Sequence, residues 1–159
     1  MKTLRRYDLQ HSYFFLTVVT YRREKLLLRS TSLFFDCWTK AKPVALVVLP
    51  DHFHVIVRSR DVAISNIMHD FKIRYSKRFR DLYRDGRVWQ NRFWDHVIRD
   101  QRDMNKHVDY IHYNPVRHGI VDDPFDYEHS SLQRWFEEGY YPRNWGVQKE
   151  ISFTGDFGE

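Results

Sequence analysis

His52 and His54 stand one residue apart in the run Leu49-Pro50-Asp51-His52-Phe53-His54-Val55-Ile56-Val57. Imidazole is the commonest metal-ligating side chain, and two of them leave coordination positions open for a substrate. That chemistry needs both rings aimed at one point. The run is rich in β-branched and apolar residues, so it reads as a buried strand. On a strand, residues i and i+2 share a face, so both imidazoles project together while Phe53 packs into the other side. A single His-x-His is equally compatible with a structural role, and its meaning depends on what else reaches that face.

A second segment is His107-Val108-Asp109-Tyr110-Ile111-His112-Tyr113-Asn114-Pro115-Val116-Arg117-His118-Gly119. Together the two segments resemble the REP-associated tyrosine transposases, a branch of the HUH single-strand DNA transposases. Arg5-Arg6-Tyr7, residues 14–20, Trp89-Gln90-Asn91-Arg92-Phe93-Trp94-Asp95-His96 and Ser130-Ser131 extend the resemblance across most of residues 5–135. The resemblance implies His52, His54 and Asn114 as ligands of a divalent metal, Mg²⁺ or Mn²⁺, and Tyr110 as the nucleophile. It also implies a hairpin substrate with a short flanking single strand, of the kind found in repetitive extragenic palindromes. Such DNA would be cut and rejoined through a 5′-phosphotyrosine.

The residue chemistry agrees with that implication. Residues i and i+4 of a helix share a face, so Tyr110 and Asn114 would point together toward the histidines. A mixed nitrogen and oxygen set suits Mn²⁺ or Mg²⁺, although Mg²⁺ alone prefers oxygen shells. A phenol titrates near ~10 in water, so its attack calls for a positive field or a base. Lys106, one turn before Tyr110, is the candidate for that field, with a solvated lysine as the alternative. Tyr113 is a rival nucleophile or a core residue. Asn114 precedes a proline, which disfavours helical dihedrals and sets the helix end at about Tyr113.

Lys and Arg outnumber Asp and Glu by 26 to 21, for a formal net charge of +5, which favours polyanionic partners. Lys72, Arg74, Lys77, Arg78 and Arg80 would line the polar faces of one helix, as phosphate contacts or as a solvated face. Arg5, Arg6, Arg22, Arg23, Arg92 and Arg117 are further candidates. Aromatics make up 17% of the chain, and Trp89, Phe93 and Trp94 are candidates for stacking on unpaired bases or for the core. Asp95 and His96 would support the metal or be ordinary strand residues. His107, His112, His118 and His129 would contact phosphate or sit at the surface.

These groups require a frame, and hydropathy periodicity supplies one. Residues 14–20, 44–49, 54–58 and 88–99 read as strands, with a turn at Pro50-Asp51. A helix capped by Thr31 or Ser32 would run to about Lys40, a long amphipathic helix from Ile64 to Asp85-Gly86, and a third from Asp103. The order predicts an α+β, ferredoxin-like β-α-β-β-α-β antiparallel sheet with helices on one face, followed by a C-terminal catalytic helix and tail. One domain is expected over residues 1–159, with a core at about 5–135 and a tail at 136–159 that would cover the site or form an interface. A single cysteine, Cys37, excludes an internal disulfide and reads as core.

There is no Gly-x-x-x-x-Gly-Lys phosphate loop, no Cys-x-x-Cys and no third histidine at position 56. NTPase, zinc deaminase and histidine-triad readings fail accordingly. No apolar run approaches the ~18 residues that span a bilayer, so no membrane partner and a cytoplasmic location are expected. The leading expectation is a metal-dependent transposase acting on hairpin single-stranded DNA, as a monomer or homodimer. The alternatives are a domesticated hairpin-binding protein without productive cleavage and another HUH-type nicking endonuclease.

Overall fold

The computed structural model describes residues 12–159, so Arg5, Arg6 and Tyr7 lie outside the described residues. Its frame is a four-stranded antiparallel sheet in the order β2-β3-β1-β4, built from β1 (Tyr13–Val19), β2 (Ala45–Val48), β3 (His52–Arg58) and β4 (Trp94–Val97). β2 and β3 form the hairpin expected at Pro50-Asp51, with Val48 opposite Phe53. β1 pairs with β3 along its whole length, which sets Thr17 opposite His54.

Alternation along β3 sorts its side chains between two cores. Phe53, Val55 and Val57 pack with Leu16, Val18 and the apolar stripe Ile67, Met68, Phe71, Tyr75 and Phe79 of α2 (Ile64–Leu82). α1 (Thr31–Cys37) completes that layer, burying Leu33, Phe34 and Cys37. Phe53 is wholly buried, with its ring edge-on to those of Phe34, Trp38, Phe71 and Trp89. Truncating such a side chain to alanine costs about 3–5 kcal/mol. The opposite face, with Phe15, Val47 and Ile56, is covered by Met104, Val108, Tyr110 and Ile111 of α3 (Gln101–Arg117). α3 is therefore the element that meets the histidine face.

Several expected boundaries move, each for a local reason. Ser30, not Thr31 or Ser32, caps α1 by accepting from Leu33 N, and the helix ends at Cys37 because Trp38 adopts extended dihedrals. The expected fourth strand over 88–99 shrinks to Trp94–Val97, with one isolated bridge from Trp89 to Thr20. Between them Lys72 Nζ holds the carbonyls of Gln90 and Arg92, which draws the backbone away from the ladder. α3 does not stop at Tyr113. It runs through Pro115 to Arg117, and His118 N still donates to Asn114 O at 3.0 Å. The proline removes one ladder donor without breaking the helix, and this keeps Asn114 and Arg117 in register with Tyr110.

α4 (Leu132–Glu137) leads into the tail, and its Trp135 is buried against the α3 layer. Residues 129–131 pair with β2, where Val48 N donates to His129 O and Ser131 N to Leu46 O. No helix among the described residues is long and apolar enough to cross a membrane.

Candidate active site

β3 delivers His52 and His54 to one point, both buried, with their rings 5.0 Å apart. Each has its Nδ1 engaged behind it. Asp51 Oδ1 accepts from His52 Nδ1 at 2.6 Å, so that nitrogen carries the proton and Nε2 presents a lone pair to the site. The Thr17 hydroxyl donates to Phe157 O at 2.6 Å, which leaves its oxygen to accept from His54 Nδ1 at 2.8 Å. Nε2 of His54 therefore also faces inward as a lone pair. Burial lowers the His54 pKa to about 4, so its ring is neutral at physiological pH. This is the arrangement of a metal-ligating histidine, whose outer nitrogen is anchored to a carboxylate or another acceptor.

From the other side α3 presents Tyr110, Asn114 and Arg117, which fall on one face at i, i+4 and i+7. The Tyr110 ring lies 5.3 Å from that of His54. Arg117 Nη1 donates to the Tyr110 hydroxyl at 3.2 Å. Burial, reinforced by the Glu159 carboxylate, pushes the Tyr110 phenol above its ordinary range.

Glu159 stands at the centre. Its Oε1 is 2.7 Å from His54 Nε2, 2.9 Å from Asn114 Nδ2, 3.3 Å from His118 Nε2 and 3.5 Å from His52 Nε2, while Oε2 pairs with Arg117. Burial alone would raise this carboxyl, but His118, His52 and His54 around it hold it far below the usual carboxylate range. The tail reaches this point by stacking Phe157 flat on Tyr110, with centroids 3.7 Å apart and planes 6° from parallel. The end of the tail thus covers the site.

The donor set fits a divalent cation. His52 Nε2 and Asn114 Oδ1 are buried with no hydrogen-bond partner among the described residues, a costly state for polar atoms. A half-turn of the Asn114 amide exchanges nitrogen for oxygen at the Glu159 position. His52, His54 and Glu159 place ligand atoms within 4.8 Å of one another.

With this geometry described, three comparisons bear on descent. Residues 9–114 match the family model "Transposase IS200 like". The chain belongs to the IS200-like transposase family. A Haemophilus influenzae relative is 32% identical, over 91% of this chain and 92% of its own length. The REP-associated tyrosine transposase of Escherichia coli K12 is 35% identical, over 91% of each. A solved structure of a REP-associated tyrosine transposase bound to a REP hairpin superposes with a TM-score of 0.77, at 31% identity, covering 100% of this chain and 94% of that one. Family and fold thus agree with the ferredoxin-like transposase expected from the sequence.

Not every expected residue reaches the site. Lys106 Nζ lies over the Phe157 ring at 5.2 Å, and the cation at the Tyr110 hydroxyl is Arg117 instead. In a helix the Cα–Cβ bonds tilt toward the N-terminus, so Lys106 leans away from Tyr110 and Arg117 leans back over it. Tyr113 is buried beside Trp145 and Phe153, in keeping with a packing role. Arg74, Lys77, Arg78 and Arg80 are exposed on α2, across the sheet from Tyr110, whereas Lys72 is half-buried against backbone carbonyls. Burial lowers Lys72 to about 8. Arg92 and Trp94 are exposed, and Trp89 is core.

His107 and His112 are buried, not surface residues. His112 bridges Tyr141 and Ser131, and burial lowers its pKa to about 3. His96 and His107 flank Asp103 in a second cluster, away from His52 and His54. There Asp103 Oδ2 accepts from His96 Nε2 at 2.8 Å, Arg99 N at 3.0 Å and Arg99 Nε at 3.3 Å, and His107 Nδ1 donates to Asp103 O at 2.8 Å. Sequence reasoning missed Glu159, Thr17 and Asp51. Strand pairing of residues 14–20 with 52–58 is the signal that finds Thr17. Nothing local marks Glu159.

Proposed function

We propose that the chain is a metal-dependent tyrosine transposase that binds hairpin-forming single-stranded DNA of the REP type. It cleaves and rejoins that DNA through a 5′-phosphotyrosine. The observation that carries this reading is a pair of buried atoms without partners, His52 Nε2 and Asn114 Oδ1, on the strand and the helix that bring His54 and Tyr110 together. His52, His54 and Asn114 would hold Mn²⁺ or Mg²⁺, whose charge polarises a non-bridging phosphate oxygen when bound.

Tyr110 is the nucleophile in this reading. Its oxygen forms a bond to phosphorus as the bond to the 3′ oxygen breaks. The phenolic proton passes to water, and the departing 3′ oxygen recovers one from water. A free 3′-hydroxyl reverses the step, so strands are exchanged without ATP. Glu159 and a DNA phosphate would compete for the same donors, so the tail must leave the site for the reaction. The E. coli relative and the hairpin-bound solved structure support the substrate class. Arg74, Lys77 and Arg92 are exposed enough to meet phosphate, whereas Lys72 and Arg78 already hold Gln90, Arg92 and Asp36.

The test is an SDS-gel assay with labelled hairpin DNA from palindromes flanking the gene, with Mn²⁺ or Mg²⁺. A covalent adduct that needs metal and disappears in Tyr110→Phe establishes the reading. Tight hairpin binding without any adduct would replace it by the binding-only alternative.

A further inference from the structure

We propose that Arg117 is a catalytic residue: its guanidinium holds the Tyr110 oxygen and shares the negative charge on it as it attacks phosphorus. The proposal rests on the reading of Tyr110 as nucleophile. It departs from the simpler view that an exposed arginine near the site is a phosphate anchor.

Three features support it. Arg117 Nη1 donates to the Tyr110 hydroxyl at 3.2 Å, and Cζ lies 5.3 Å from the ring centroid, so the guanidinium covers both the reacting atom and the ring. Lys106, the other cation one turn away, is turned to Phe157. The placement is also built in by the backbone. Helix α3 continues past Pro115, so position 117 falls two turns beyond 110 and within about 20° of the same azimuth. Had the helix ended at Tyr113, the same arginine would have projected from a loop.

The present structure shows the group divided between two tasks. Arg117 Nη1 is also paired with Glu159 Oε2, so the tail carboxylate neutralises the charge that faces the phenol. With the tail out, that charge is left to Tyr110 alone. A donor preorganised toward an oxygen that carries developing charge is worth about 10²–10³-fold in rate. The step remains the one already balanced above: the Tyr110 O–P bond forms, the P–O3′ bond breaks, and protons are exchanged with water. Arg117 stays protonated throughout, since a guanidinium does not deprotonate in this range.

The experiment compares wild type, Arg117→Met, Arg117→Lys and Tyr110→Phe, using labelled REP-type hairpin DNA and Mn²⁺. Hairpin affinity is read by fluorescence anisotropy, and the single-turnover rate of adduct formation is read at saturating DNA. Arg117→Met should lower that rate by about 10²-fold while changing the hairpin Kd less than about threefold. Arg117→Lys should recover part of the rate, because it keeps the charge but not the fork. A merely structural role would not be rescued by lysine. A Kd weakened in Arg117→Met at an unchanged saturated rate would overturn the proposal in favour of a phosphate anchor. A wild-type adduct that is lost in Tyr110→Phe but formed at full rate in Arg117→Met would overturn this proposal alone. An adduct absent from wild type would overturn the reading of Tyr110, and this proposal with it.

Discussion

Among the described residues, two clusters hold two imidazoles and a carboxylate with ligand atoms within 4.8 Å of one another: His52, His54 and Glu159, and His96, Asp103 and His107. Their composition is the same and their hydrogen bonding is opposite. In the second cluster Asp103 is saturated by His96 and by two donors of Arg99, and the inward nitrogen of His107 is spent on a helix carbonyl. That is a brace. In the first, Asp51 and Thr17 hold the outer nitrogens, His54 Nε2 meets only the tail carboxylate of Glu159, and His52 Nε2 has no hydrogen-bond partner among the described residues. Proximity of histidine and carboxylate does not make a metal site. Inward lone pairs fixed from behind are what a metal site would need in addition.

The contrast is sharpest in metal binding. His54→Ala should weaken Mn²⁺ affinity at least about 100-fold by calorimetry, more than losing a supporting hydrogen bond, whereas His96→Ala should leave it within about twofold. Equal losses would dissolve the distinction. Stability should separate the clusters the other way. Asp103→Asn should cost about 2 kcal/mol in urea unfolding at neutral pH and leave Mn²⁺ affinity intact. Burial would raise the Asp103 carboxyl, but Arg99 and His96 hold it at about 2. A depressed folded pKa gives stability that is present above the unfolded value near 3.8 and lost as pH falls toward 2. The wild type should therefore lose that increment across this window, and Asp103→Asn should not.

Two smaller effects sharpen the comparison. Thr17→Val keeps the shape but removes the anchor behind His54, and it should weaken Mn²⁺ affinity about tenfold. A Thr17→Val protein that binds metal like the wild type would remove the outer nitrogens from the argument. Asp109 is the reverse of Asp103. Burial raises it to about 6, although Tyr141 donates to it and opposes that rise. A raised folded carboxyl pKa means stability falls as pH climbs from about 4 to about 6. Asp109→Asn should accordingly gain about 1 kcal/mol at pH 8 and nothing at pH 4, as read by thermal unfolding.

That His52 and His54 share one sheet face, and Tyr110 and Asn114 one helix face, was legible from local periods of two on a strand and four on a helix, whereas the roles proposed for them came from the family resemblance. The same alternation sets the two-sided core. What stayed hidden depended on long-range placement or on direction along an element. Thr17 becomes a partner of His54 only through strand register. Arg117 displaces Lys106 at the phenol because helical side chains lean toward the N-terminus, a rule that spacing alone does not express. Proline 115 misleads because the preference it disturbs is smaller than the packing that holds α3 against the sheet. Glu159 lies 105 positions from His54, and no periodicity connects them.

Gly158 gives the tail a property that neither of its neighbours has. Its backbone sits at a φ of +76°, and a Cβ built there would meet Trp94 Cγ at 2.2 Å. The chain passes a keyhole cut to the width of a hydrogen atom. A single methyl group, as in Gly158→Ala, would act as a wedge against the indole and prise Phe157 and Glu159 outward. It would do so without altering His52, His54, Tyr110, Asn114 or Arg117. How closely the tail covers the site can therefore be set from a position outside it.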